Sequence, residues 1–175
     1  MTTDEIDNWH PFVVESKTKL AILTRYEVVK RFDELLLLKK RQTPLDFSTE
    51  TSSQMPAKLG NYIELENTDQ LQYLTADLEY SLLGKVARVF FQPPDLRVTV
   101  QLENGEERTF KAIKTIINGQ ILANKFVDSI GSAEEFFRSG GRAAPKVVKI
   151  KFDTPDPWGF KPEFTYQVQY VTLPN

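Results

Sequence analysis

Cysteine is absent from this chain, and histidine occurs once, as His10. The first absence excludes disulfides, thiolate nucleophiles, cysteine zinc sites and iron–sulfur clusters. The second leaves Trp9-His10-Pro11-Phe12 without the orienting partners that histidine catalysis or a histidine metal site requires. Long apolar runs are also missing. Runs such as Leu35 to Leu38 fall far short of the ~20 residues of a spanning helix. The opening Met1-Thr-Thr-Asp-Glu-Ile-Asp7 is acidic and is followed by no apolar stretch, so no signal peptide is expected. Neither G-x-x-x-x-G-K-[ST] nor G-x-G-x-x-G occurs, which removes the familiar phosphate cradles.

What is present describes an ordinary globular chain. Apolar residues make up 41% and charged residues 26%, enough for a sizeable core in 175 residues. The net charge of −2 selects no polyanion, and no nucleic-acid partner is expected. The charge is unevenly spread: residues 1–84 hold nine Lys/Arg against fourteen Asp/Glu, and residues 85–175 hold thirteen against ten. A cysteine-free chain suits the cytoplasm or a bacterial envelope alike.

Periodicity then divides the chain. Residues 16–42 read as one helix, with Ser16 or Thr18 as N-cap and Lys39, Lys40 and Arg41 in the last turn before Pro44. Residues 43–60 are rich in Thr, Ser and Gln and read as a linker, so 1–60 forms a helical N-terminal extension and 61–175 a β-domain. Tyr62 to Glu66 suggests a short strand; Leu71, Leu74, Leu78 and Leu82 recur at helical spacing, predicting a helix over 69–83. Val86 to Phe91 reads as a buried strand.

The firmest expectation is a hairpin. Leu96, Val98, Val100 and Leu102 alternate with polar residues, and a second strand ends at Ile113. A two-residue Asn104-Gly105 loop would turn Phe110 to the polar face. A three-residue loop pairs Val98 with Phe110 and Leu96 with Ala112, with Gly105 left-handed. Asn118-Gly119 marks another turn, Ser132-Ala-Glu-Glu135 a capping box, and Phe136 and Phe137 core contacts before Gly140-Gly141. Val148–Phe152 and Phe164–Tyr170 are two more alternating strands. The predicted class is α+β: an antiparallel β-sandwich with a helical N-terminal region and short decorating helices.

Chemistry is sparse. Glu106-Glu107 and Glu134-Glu135 are adjacent pairs with structural explanations, whereas a turn at Thr154-Pro155 can converge Asp153 and Asp156 on an oxygen-ligand cation, though without EF-hand spacing, and Asp153, Asp156 or Glu163 would serve a small enzyme in acid–base work. Neither a catalytic residue nor a metal ligand nor a cofactor site is assigned. The loop Asp153-Thr-Pro-Asp-Pro-Trp-Gly-Phe160-Lys-Pro-Glu-Phe164 holds Trp158 and Phe160, large apolar groups that plug the sandwich end if buried, the favoured reading of the loop itself, and suit a sugar ring or a partner's pocket if exposed. Lys149 and Lys151, with Lys146, Lys161, Lys111 and Lys114, outline a basic stripe.

Taken together, Asn118–Phe126, the capped Ser132–Phe137 helix, Val147–Phe152 and Pro157-Trp-Gly-Phe160 resemble the soluble, jelly-roll-like domains that bacterial polytopic envelope proteins carry outside the membrane. The resemblance implies an extracytoplasmic module, with the cytoplasm as the alternative. The expected function is non-catalytic binding of a glycan, a protein partner or a membrane-embedded neighbour, with Trp158, Phe160, Lys149 and Lys151 in contact. The alternatives are a small carboxylate-dependent enzyme and a structural oligomer joined through the 16–42 helix.

Overall fold

A computed structural model describes residues 16–174. Trp9 and His10 lie outside the described residues. In chain order the elements are α1 (Ser16–Arg25), β1 (Tyr26–Phe32), β2 (Leu35–Lys40), β3 (Ser48–Thr51), β4 (Met55–Lys58), β5 (Tyr62–Glu64), β6 (Leu71–Asp77), α2 (Leu82–Phe90), β7 (Leu96–Leu102), β8 (Glu107–Ala112), α3 (Lys114–Ile117), β9 (Ile121–Leu122), α4 (Ile130–Arg138), β10 (Val147–Asp153) and β11 (Glu163–Thr172), with a 3-10 turn at Pro157–Gly159. The class is α+β with antiparallel sheets.

Beside the two-stranded β1-β2 sheet there are two larger ones: the first runs β5-β10-β7-β8, and the second β3-β11-β6-β9 with β4 also on β11. Alternation directs Val98, Val100, Ile150 and Phe152 of the first sheet, and Leu74, Ala76, Phe164 and Val168 of the second, into one buried cluster. The second sheet also feeds another cluster from its opposite face: Leu71, Tyr73, Leu122 and Val171 meet Phe136 and Phe137 of α4 and Leu23 of α1. The hydroxyl of Ser16 ties α1 to β9 by accepting the Leu122 N–H at 2.9 Å.

Four sequence expectations give way to tertiary packing. The helix predicted over 16–42 stops at Arg25, and the rest forms a hairpin that pairs Val28 with Leu38 and Phe32 with Leu35 around Asp33, whose φ is 39°. Strand alternation lets Val28 and Leu36 reach the α4 cluster while Leu35 and Leu37 face outward, a division no single helix face provides. The helix predicted over 69–83 is largely strand β6, paired with β11 and β9. Both its faces are buried, so its apolar residues run nearly continuously and mimic a helical spacing. The strand predicted over 86–91 is helix α2. In addition, residues 43–60 contain β3 and β4, both hydrogen-bonded to β11.

The β7-β8 hairpin takes the predicted register, with Val98 opposite Phe110 and Leu96 opposite Ala112, and Gly105 has φ 85°. Phe136 and Phe137 are buried as expected. The cap of α4 lies one turn earlier than predicted: Ser129 is the N-cap, its hydroxyl accepting the Ser132 N–H at 3.1 Å while Ser132 accepts the Ser129 N–H at 3.0 Å. A Cβ on Gly105 would meet nothing within 4 Å, so substitution there costs conformational strain alone. Gly105→Ala is expected to lower unfolding free energy by about 1–2 kcal/mol in urea titration without altering the spectroscopic signature of the fold.

Candidate functional site

The site is built where the chain between β6 and α2 meets the loop after β10. Asn118, at the end of α3, clips this segment by exchanging side-chain hydrogen bonds with the Leu78 N–H and C=O at 3.3 and 3.2 Å. Residues 79–81 then run antiparallel to 159–161: Tyr80 bridges Phe160, the Lys161 N–H donates to the Glu79 C=O at 2.9 Å, and the Ser81 N–H donates to the Gly159 C=O at 3.1 Å. The Tyr80 and Phe160 rings pack at 4.9 Å.

Ser81 is the N-cap of α2. Its hydroxyl accepts the Gly84 N–H at 3.0 Å and donates to the Trp158 C=O. Gly84 faces the 3-10 turn so closely that an added Cβ would lie 1.9 Å from the Gly159 carbonyl oxygen, and a Cβ on Gly159 would press on the Pro94 ring at 2.4 Å. Gly84 thus lets the helix meet the Trp158 turn backbone to backbone, and Gly159 lets that turn pass the Pro94 ring. Gly84 is the one buried residue of α2.

Turning about 100° per residue, α2 places Leu82, Leu83, Val86, Val89 and Phe90 on one arc roughly opposite Gly84. That arc faces away from the body. Leu82 is 82% exposed, Phe90 73% and the following Phe91 79%; Trp158, beside the helix, is 48% exposed. Lys85 and Arg88 lie next to Val89 at one margin of the arc and, with Glu79, Tyr80, Val89 and Lys114, line a cleft of about 480 Å³.

The sequence-predicted contact residues are separated by the fold. Trp158 reaches solvent, whereas Phe160 is 2% exposed and belongs to the core shared by the sheets. Lys149 and Lys151 lie on β10 away from that core. Lys149 pairs with Glu64 at 3.1 Å, and the Lys151 ammonium sits 4.9 Å from the Tyr62 ring centre. The Tyr62 hydroxyl donates to Glu107 at 2.6 Å, and this bond, then burial, pushes the phenol up to about 12. The basic stripe is broken into pairs: Lys146 with Asp69, Lys161 with Glu79, and Lys111 with Asp95.

The carboxylates proposed for acid–base work are engaged in local structure. Asp153 accepts the Thr154 N–H at 2.8 Å, Asp156 accepts the Asp95 N–H at 3.2 Å, and Glu163 pairs with Lys58 at 3.0 Å. Among the described residues no cluster of His, Asp and Glu is placed to hold a metal, and no helix is long and apolar enough to cross a membrane.

Sequence reasoning missed the apolar face of α2 and the cations beside it. The i, i+4, i+8 spacing of Leu82, Val86 and Phe90 after Ser81 carries the signal, but β-branched Val86 and Val89 with Phe90 and Phe91 suggested a buried strand. No family model matches the chain, nor does any curated protein or solved structure.

Gly84→Ala gains helix propensity of about 1 kcal/mol but forces a backbone clash of about 1–3 kcal/mol. Net destabilisation is therefore expected in thermal melts, together with increased acrylamide quenching of Trp158 in a Trp9→Phe background. Glu79 reports the local field: its carboxyl is held below the usual range first by the hydrogen bond from Lys161 and the charge of Lys161, with further lowering by Lys85 and Lys114. Because the folded pKa is depressed, the interaction is present above the ordinary carboxylate value and is lost as pH falls through the folded one. An NMR titration should place the Glu79 midpoint below that of a free Glu; Lys161→Ala should raise it most, and Lys85→Ala and Lys114→Ala less.

Proposed function

We propose that this chain is a non-catalytic docking module of a membrane-associated protein, seated on a membrane surface through α2 and Trp158. The single observation carrying this reading is the outward apolar face of α2. Six large apolar side chains, Leu82, Leu83, Val86, Val89, Phe90 and Phe91, are exposed on nine helical residues and the one after them. Leaving such groups in water forgoes about 1.5–3 kcal/mol each relative to burial. Contiguous exposed apolar surface of this kind marks a contact site.

A lipid interface fits the chemistry of this face. It takes apolar side chains of mixed shape, receives an indole such as Trp158 at its polar boundary, and suits a helix whose cations flank its apolar arc. Two sheets with a shared core would form the layers of a jelly-roll-like β-sandwich, a rigid support that carries α2 as its docking edge. The envelope-domain resemblance agrees with this reading. A glycan contact has less support, because Phe160 is buried and Trp158 lacks a second exposed ring from its own loop.

The reading is tested with phospholipid vesicles and the Trp9→Phe protein, in which Trp158 alone emits. Flotation with vesicles containing phosphatidylglycerol, a blue shift and reduced acrylamide quenching are expected. Phe90→Glu should weaken binding at least about tenfold while leaving the melting temperature unchanged. Protein that stays unfloated, with unaltered emission, would refute membrane docking and direct the search to a protein partner.

A further inference from the structure

Tyr80 gathers positive charge beneath the apolar edge of α2. The Arg88 guanidinium lies 5.8 Å from its ring centre and the Lys114 ammonium 5.5 Å, while Phe160 packs against the same ring at 4.9 Å. Lys85 lines the same cleft, and Val89 joins it to the apolar arc. The one carboxylate of the cleft, Glu79, is already bonded to Lys161. Among the described residues, Lys85, Arg88 and Lys114 form no ion pair, and neither do Arg97, Lys125 and Lys151, whereas Lys58, Arg108, Lys111, Lys146, Lys149 and Lys161 do. Three like charges converge here on one carboxylate, Glu79, whose charge is shared first with Lys161 and then with Lys85 and Lys114. A cation–π contact lowers the cost of holding each cation over the ring, but it does not remove their mutual repulsion.

We propose that the cleft formed by Tyr80, Lys85, Arg88 and Lys114 binds the phosphate of an anionic phospholipid headgroup, so that the module selects negatively charged membranes. The proposal rests on the membrane-docking reading and adds its lipid class. Position along the helix supports it. With Leu82, Val86 and Phe90 turned toward the acyl region, the margin occupied by Lys85, Arg88 and Val89 lies at headgroup level, where Arg88 offers a fork of donors and the lysines point charges. Each cation near an anionic surface contributes roughly fivefold in affinity, so three support a preference between about tenfold and 100-fold.

The test compares partition of the Trp9→Phe protein onto vesicles of phosphatidylcholine alone and vesicles in which part of that lipid is replaced by phosphatidylglycerol. Wild-type side chains in the cleft should favour the anionic vesicles by at least about tenfold, and added salt should reduce the difference. Arg88→Gln with Lys114→Gln should remove most of that preference while retaining the weaker binding to phosphatidylcholine. Lys149→Gln with Lys151→Gln, which deletes the same charge elsewhere, should leave it unchanged, and circular dichroism checks that each variant is folded. Equal binding to both vesicles, or equal losses from the two double variants, would overturn the headgroup site while leaving docking intact. Binding to neither vesicle would overturn the docking reading and this proposal with it. Inorganic phosphate forms the last arm: if it occupies the cleft, read as shifts of the Lys114 signals, while anionic vesicles do not, the ligand is a free anion and the lipid assignment fails.

Discussion

Strand β11 is hydrogen-bonded along both edges, and this double pairing is the constraint from which the rest of the architecture follows. On one side Thr165–Val171 pairs with β6; on the other, β4 covers its first half and β3 its second. The gap between β4 and β3 is closed by Ser52, whose N–H and hydroxyl engage the Val168 C=O and N–H, and whose C=O accepts from Gln167. With its backbone satisfied, β11 can send Phe164 and Val168 into the core shared with the first sheet, while Val171 turns to the cluster beneath α4. Loss of either pairing would strand buried polar groups and open a core together.

The loop between β10 and β11 inherits its rigidity from those two strands. Thr154 and Asp156 tie it to Asp95, and Phe160 plugs the core, so the Trp158 turn is held from both ends. A helix as short as α2 is marginal alone. Here its cap hydroxyl and Gly84 fasten it to that turn by main-chain contact, which needs no apolar side chain on the inner face. The apolar residues are then available to the outside. This inversion of the usual amphipathic arrangement makes α2 the feature that most clearly asks for a partner.

Much of the fold was legible wherever one face of an element is wet. The β7-β8 register followed from alternation and from the left-handed need at Gly105, and β10 and β11 from the alternation of Val148–Phe152 and Phe164–Tyr170. Legibility failed where two faces are buried or where none is. β6 buries both faces and imitated a helix; α2 buries almost neither and imitated a strand. Residues 26–40 failed for a third reason: their apolar residues divide between the α4 cluster and solvent, a split set by a neighbouring element distant in sequence. The candidate site suffered the same limits. Trp158 was picked out by its proline-bounded loop, while Phe160, two residues on, carried the same local signal with an opposite orientation.

By itself the sequence determined that cysteine chemistry is missing, the hairpin register, the antiparallel strands of the C-terminal half and the capacity of Phe136 and Phe137 to fill a core. Those properties depend on residue type and on local periods of two or 3.6, which a chain carries with it before folding. The tertiary structure decided which apolar residues remain outside, that Gly84 rather than a large side chain attaches α2, and that Arg88 and Lys114 converge on Tyr80 across a gap in sequence, with Lys85 in the same cleft. Exposure and charge convergence are relations between distant segments, and the close approach of Gly84 to Gly159 exists once β6, β10 and β11 have brought both backbones to the same place.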